Sequence, residues 1–170
     1  RISAGDGCLY LFGSECVGSD GFACKTFGAV YLARVAANPS AWSNAANYQW
    51  WTGTAWSPAS SSAANIVPGV NPIAGGVHVA DYAPTTGRKY AMLVQSAFGS
   101  GGFDLYEATS LTGPWTRKGS GRPPDACFAA GHDSGFGCYA IAGHPELSTS
   151  ARLVFSWLSP DDRNAYPHIR

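Results

Sequence analysis

The feature that most constrains this chain is a dense series of short β-type runs cut apart by turn residues, with no helical periodicity sustained over three turns. The runs are Cys8–Gly13, Ala29–Ala36, Tyr48–Trp51, Val77–Tyr82, Lys89–Ser96, Phe103–Ala108, Trp115–Lys118, Cys138–Ala142, Arg152–Leu158 and His168–Arg170. Turn chemistry separates them, as in Pro84-Thr85-Thr86-Gly87, Thr112-Gly113-Pro114 and Ser159-Pro160-Asp161-Asp162. Such spacing predicts antiparallel sheet throughout, in a single all-β domain or propeller fragment over residues 1–170.

Set side by side, the runs repeat loosely. Leu9-Tyr10-Leu11-Phe12 is followed by Val30-Tyr31-Leu32-Ala33-Arg34 and then by Trp50-Trp51-Thr52-Gly53. Ala91-Met92-Leu93-Val94 is followed by Phe103-Asp104-Leu105-Tyr106-Glu107-Ala108 and Gly113-Pro114-Trp115. Leu153-Val154-Phe155-Ser156 is followed by His168-Ile169-Arg170. Any all-β protein repeats strands to some degree, but the order also suits β-propeller blades, each a four-stranded antiparallel sheet. The chain would enter at the second strand of one blade and leave at the third strand of another. About two and a half blades form an incomplete ring, because a propeller needs at least four. Unpaired edges then call for a second chain or self-association, or for a sandwich-like closure.

Composition narrows the partners. Only 13% of residues are charged, 11 basic against 11 acidic, and lysine occurs only at Lys25, Lys89 and Lys118. This gives no basic face for nucleic acid and no basic amphipathic stretch for a membrane surface. Apolar runs such as Ala29 to Val35 are too short to span a bilayer. The absence of an initiator Met and of a signal-peptide pattern reads as a mature or trimmed product.

Five cysteines lie in two groups, Cys8, Cys16 and Cys24, then Cys127 and Cys138. No close pair has zinc-site spacing, so no metal is expected. Disulfides Cys16–Cys24 and Cys127–Cys138 suit the spacing better, each closure adding about 2–3 kcal/mol. Cys8 is left over, as a buried thiol or with a partner elsewhere. An oxidising compartment and a secreted, extracellular location follow.

The segment Ser110-Leu111-Thr112-Gly113-Pro114-Trp115 after Tyr106-Glu107-Ala108 resembles the outer hairpin of five-bladed propeller glycosidases such as glycoside hydrolase family 43. Val30-Tyr31-Leu32-Ala33-Arg34 with Tyr48-Gln49-Trp50-Trp51-Thr52-Gly53 resembles the same hairpin in the preceding blade. Gly143-His144-Pro145-Glu146-Leu147-Ser148 with Leu153-Val154-Phe155-Ser156-Trp157 is similar to an inner-strand motif of secreted propeller domains, some without an assigned function. The resemblance implies a secreted, carbohydrate-active propeller, with hydrolysis of an extracellular polysaccharide as the first-choice chemistry and no cofactor.

Two candidate inner strands carry polar groups, Gly76–Tyr82 and Gly143–Leu147. Asp81 and Glu146 are the candidate carboxyl pair, one protonating the leaving oxygen and the other activating water or attacking the sugar. The plainer alternative is that both acids cap loops or pair with Arg88 and Arg152. A polysaccharide lyase is the alternative chemistry, with His78 or His144 abstracting a proton and Tyr82 donating one. Each His could instead simply hold a neighbouring backbone. Trp42 and Trp50 are candidate sugar platforms, since an indole face stacks well on a pyranose ring, while Trp51 and Trp115 are expected to pack between blades. His132 lies within the loop that Cys127 and Cys138 would close. A lectin-like binding module without turnover is the reading from a different class, with a polysaccharide or oligosaccharide as partner either way.

Overall fold

A computed structural model describes residues 2–3, 5–19, 24–67, 77–82, 89–95, 102–122, 139–144, 147–149, 152–161 and 166–169. The protein is all-β. Among the described residues the strands form three antiparallel sheets, each built from consecutive segments of chain. The first contains β1 (Ile2–Ser3), β2 (Cys8–Ser19), β3 (Cys24–Ala36), β4 (Gln49–Trp51) and β5 (Trp56–Ser57), in that order. The second is a four-stranded meander of β6 (Val77–Tyr82), β7 (Lys89–Gln95), β8 (Phe103–Ala108) and β9 (Thr116–Gly121). The third contains β10 (Tyr139–Gly143), β11 (Phe155–Asp161) and β12 (Tyr166–Ile169). β1 corrects one expectation, because the first sheet begins one strand earlier, with Ile2 opposite Tyr10 and Ser3 opposite Leu9.

Side-chain alternation along β2 and β3 sends two different sets of residues to two faces. Tyr10 opposite Arg34, Phe12 opposite Leu32 and Ser14 opposite Val30 share one face. Leu9 opposite Val35, Leu11 opposite Ala33 and Gly13 opposite Tyr31 share the other. The first face builds the core: Tyr10, Val30 and Leu32 pack with Tyr90, Met92 and Val94 of β7, Tyr106 of β8, and Leu111, Ile66 and Val67 from loops. Trp51 and Trp115 pack against this cluster, the role expected for both, and so do Phe12 and Trp56.

β7 is buried on both faces, since Ala91, Leu93 and Gln95 are as inaccessible as the residues between them. A strand covered on both sides reads as a continuous apolar run, and Tyr90-Ala91-Met92-Leu93-Val94 is one. The first sheet covers one side. On the other, β10 lies against β6 and β7, and Phe103 of β8 meets Phe155 of β11 edge to face with centroids 5.0 Å apart. The three sheets therefore stack in sequence order.

The turn before β9 shows why its residues are what they are. Gly113 has φ +87°, and a Cβ there would stand 3.0 Å from the Trp115 nitrogen and 3.1 Å from its ring. Only glycine accommodates both the dihedral and the indole. Across the β8–β9 ladder, Asp104 accepts from Arg117 at 2.8 Å.

The β2–β3 ladder also decides a cysteine question. Cys16 is disulfide-bonded and Cys8 is a free thiol. The register sets Cys16 opposite Phe27 and Cys24 opposite Ser19. Three ladder positions separate the two cysteines, about 10 Å at ~3.4 Å per residue, whereas a disulfide needs Cα atoms within about 7 Å. The expected Cys16–Cys24 bridge does not fit this register. The expected Cys127–Cys138 bridge lies outside the described residues.

Next to the core, Tyr10 donates from its hydroxyl to Asp6 Oδ2 at 2.6 Å, and Asp6 Oδ1 accepts from the Cys8 amide at 3.0 Å. Burial, reinforced by the Asp6 carboxylate, pushes the Tyr10 phenol up to about 12. The hydrogen bond from Tyr10 holds the Asp6 carboxyl below its usual value. The neutral phenol is favoured by folding, so its contribution is complete below the ordinary tyrosine pKa near 10 and drains away as pH rises toward 12. The Asp6 contribution is present above 3.8 and is lost as pH falls below it. Urea midpoints measured across pH are expected to fall at both ends, and Tyr10→Phe is expected to flatten both limbs. A variant with the same pH profile as the parent would refute this assignment.

Candidate functional site

The outward face of the first sheet carries a cavity. It is a groove of about 430 Å³ whose walls include Leu11, Tyr31, Tyr48 and Trp50. Its position follows from the ladder. Trp50 sits opposite Ala33, Ala33 opposite Leu11, and Tyr31 two residues along β3 opposite Gly13. Gly13 also lines the groove, and a Cβ there would meet nothing within 4 Å.

The other wall is the chain between β3 and β4. Asn38 starts a single helical turn, α1 (Pro39–Trp42), by accepting from the Ala41 amide at 2.9 Å, with Pro39 in the first helical position. Asn44 caps the next, 3-10 turn in the same way, accepting from the Ala46 amide at 3.0 Å. These caps bring Trp42 and Tyr48 over the sheet. Trp42 donates from its indole nitrogen to the Ala36 carbonyl at 3.0 Å, and Tyr48 donates from its hydroxyl to the Trp42 carbonyl at 2.9 Å. The Trp42 indole is 36% exposed, an unusual value for so large an apolar side chain. A smaller cavity of about 110 Å³, lined by Leu9, Leu11, Val35, Trp42 and Tyr48, adjoins the first and shares Leu11 and Tyr48 with it.

Electrostatically the groove is bland. None of its lining residues carries a formal charge. Glu15 lies at its rim, accepting from the Tyr31 hydroxyl at 3.3 Å, and burial raises the Tyr31 phenol above its usual value. Among the described residues no group of three or more His, Cys, Asp and Glu is arranged to hold a metal ion.

Of the candidates named from sequence, Trp42 and Trp50 come together here, joined by Tyr48, which lines both cavities. His78, Asp81 and Tyr82 lie on β6, with their backbones opposite Leu93, Tyr90 and Lys89. His144 is not on a strand, contrary to the inner-strand reading of its motif. It follows β10 and opens a turn in which Leu147 donates to its carbonyl at 3.1 Å and Ser148 Oγ does so at 2.8 Å. Its Nε2 is 2.8 Å from Ser156 Oγ, and its amide donates to the Val154 carbonyl at 2.8 Å. The ring thus meets a hydroxyl of β11, while the backbone groups of His144 hold the turn. Glu146 and His132 lie outside the described residues. Tyr31 and Tyr48 are the site residues that sequence reasoning missed. For Tyr48 the available signal was its place two residues before Trp50; for Tyr31 there was none nearby.

A family model described as a domain of unknown function, DUF5005, matches residues 1–166. The chain belongs to this family. The match takes in β1 through the start of β12, so the aromatic groove lies wholly within the DUF5005 domain. No curated protein matches the chain.

Proposed function

We propose that this DUF5005 domain is an extracellular carbohydrate-binding protein of propeller type, holding a sugar ring in the groove between Tyr31, Tyr48 and Trp50. The observation that carries the reading is that groove: aromatic rings beside apolar side chains, with the Tyr31 and Tyr48 hydroxyls bonded to Glu15 and to the Trp42 carbonyl. A pyranose presents apolar C–H faces to such rings and keeps its hydroxyls at the rim. Binding is favoured over turnover at this place because hydrolysis needs two convergent carboxyl groups, and the groove lining contains none.

The blade reading is supported by the leading strands. β1 lies against β6 and β6 against β10, as the innermost strands of successive blades would. On this reading β6 faces a central channel, and hydrolysis by Asp81 with Glu146, or elimination by His78 with Tyr82, would occur there. The disulfide at Cys16 accords with secretion.

Isothermal titration with soluble oligosaccharides tests the function. Trp50→Ala is expected to weaken binding at least tenfold, about 1.4 kcal/mol, with the melting temperature little changed. Asp81→Asn is expected to leave affinity intact. Release of reducing sugar that Asp81→Asn abolishes would establish catalysis and displace the binding-only reading.

A further inference from the structure

We infer that the site takes a neutral oligosaccharide of at least two sugar units running along β2, with Trp50 and Tyr31 serving one unit and Trp42 the next. This rests on the carbohydrate reading above and adds its charge class and its length. Two observations carry it. First, the larger and smaller cavities are contiguous, sharing Leu11 and Tyr48. Leu9 and Leu11 lie two positions apart on one face of β2, about 7 Å at ~3.4 Å per residue. The smaller cavity thus continues the larger one along the strand direction, and the exposed Trp42 indole stands beside the extension.

Second, the combined lining carries no lysine, arginine or histidine, and no acid. A uronate or sulfated chain entering there would lose hydration of its charge with nothing among the lining residues to replace it. Glu15, which accepts from the Tyr31 hydroxyl at the rim, repels anions. A neutral chain meets no such penalty. The rings are also held ready: Trp42 by the Ala36 carbonyl and Tyr48 by the Trp42 carbonyl. Little ordering entropy is then lost on binding.

The test uses a panel of neutral gluco-, xylo- and manno-oligosaccharides of one to four units, with oligogalacturonates of matching length, titrated against the parent, Trp42→Ala and Trp50→Ala. Some neutral series is expected to gain at least tenfold in affinity from one unit to three, with galacturonates at least tenfold weaker. Trp42→Ala is expected to remove the gain with length, whereas Trp50→Ala weakens every length. Affinity independent of length, with Trp42→Ala silent, overturns the second subsite while the carbohydrate reading stands. Tighter binding of galacturonates overturns the neutral assignment alone. No binding by any glycan in the panel overturns this inference together with the reading beneath it.

Discussion

Leu32→Ala is expected to lower the free energy of unfolding by about 2–5 kcal/mol, the cost of emptying a fully buried leucine site whose surroundings relax only in part. Leu32 has no accessible surface and stands on β3 opposite Phe12, between Tyr10, Met92 and the loop residues Ile66 and Val67 in the core cluster. Small domains hold about 5–15 kcal/mol in total, so this one side chain accounts for a large share. Urea unfolding should show a lowered midpoint at unchanged slope. Tyr31→Ala, one residue away on the outward face, should shift the midpoint much less. If both variants lost the same stability, the assignment of the two faces of the first sheet would be wrong.

Asn65→Ala is expected to cost a comparable amount for a different reason. Asn65 Oδ1 accepts from two backbone amides, Val30 at 3.2 Å and Val67 at 3.0 Å, and the Ile66 amide donates to the Val30 carbonyl at 3.0 Å. One side-chain oxygen thereby fastens the loop carrying Ile66 and Val67 to β3. Both amides belong to buried residues, and each left without an acceptor costs about 1–3 kcal/mol. Asn65→Asp keeps an acceptor in place and should cost less. Hydrogen exchange supplies the decisive readout: the Val30 and Val67 amides should exchange faster in Asn65→Ala than neighbouring ladder amides do. Unchanged protection at both would refute the clamp.

The elements legible in the sequence are those whose ladder and core signals coincide. Val77–Tyr82 and Phe103–Ala108 have the bounds their apolar pattern suggests, and Lys89–Gln95 differs by one residue. The hairpin of β2 and β3 runs beyond the expected ends at Gly13 and Ala29, because pairing continues at Ser14, Val17 and Ser19, opposite Val30, Thr26 and Cys24, without an alternating apolar pattern to announce it. The two-residue strands β1 and β5 are too brief to carry any periodicity. At the candidate site, Trp42 and Trp50 stood out by residue type. Tyr31 did not, because an aromatic residue in a strand is ordinary until one knows which face the neighbouring sheet covers. That choice is made by β7, some sixty positions further along the chain, and no local pattern contains it.

The register shift between Ser14 and Cys16 divides the long hairpin into parts with different freedoms. Below it, Tyr10, Val30 and Leu32 lock the pairing, and slipping by one residue would turn the core face outward. Above it, Glu15, Cys16 and Gly18 are exposed, so burial at those positions does not fix the pairing. Lengthening or trimming the upper part by one residue on each strand leaves every inward side chain below the shift where it was. Evolution, or an engineer, can therefore resize this arm beside the aromatic groove in matched steps without rebuilding the core that supports it.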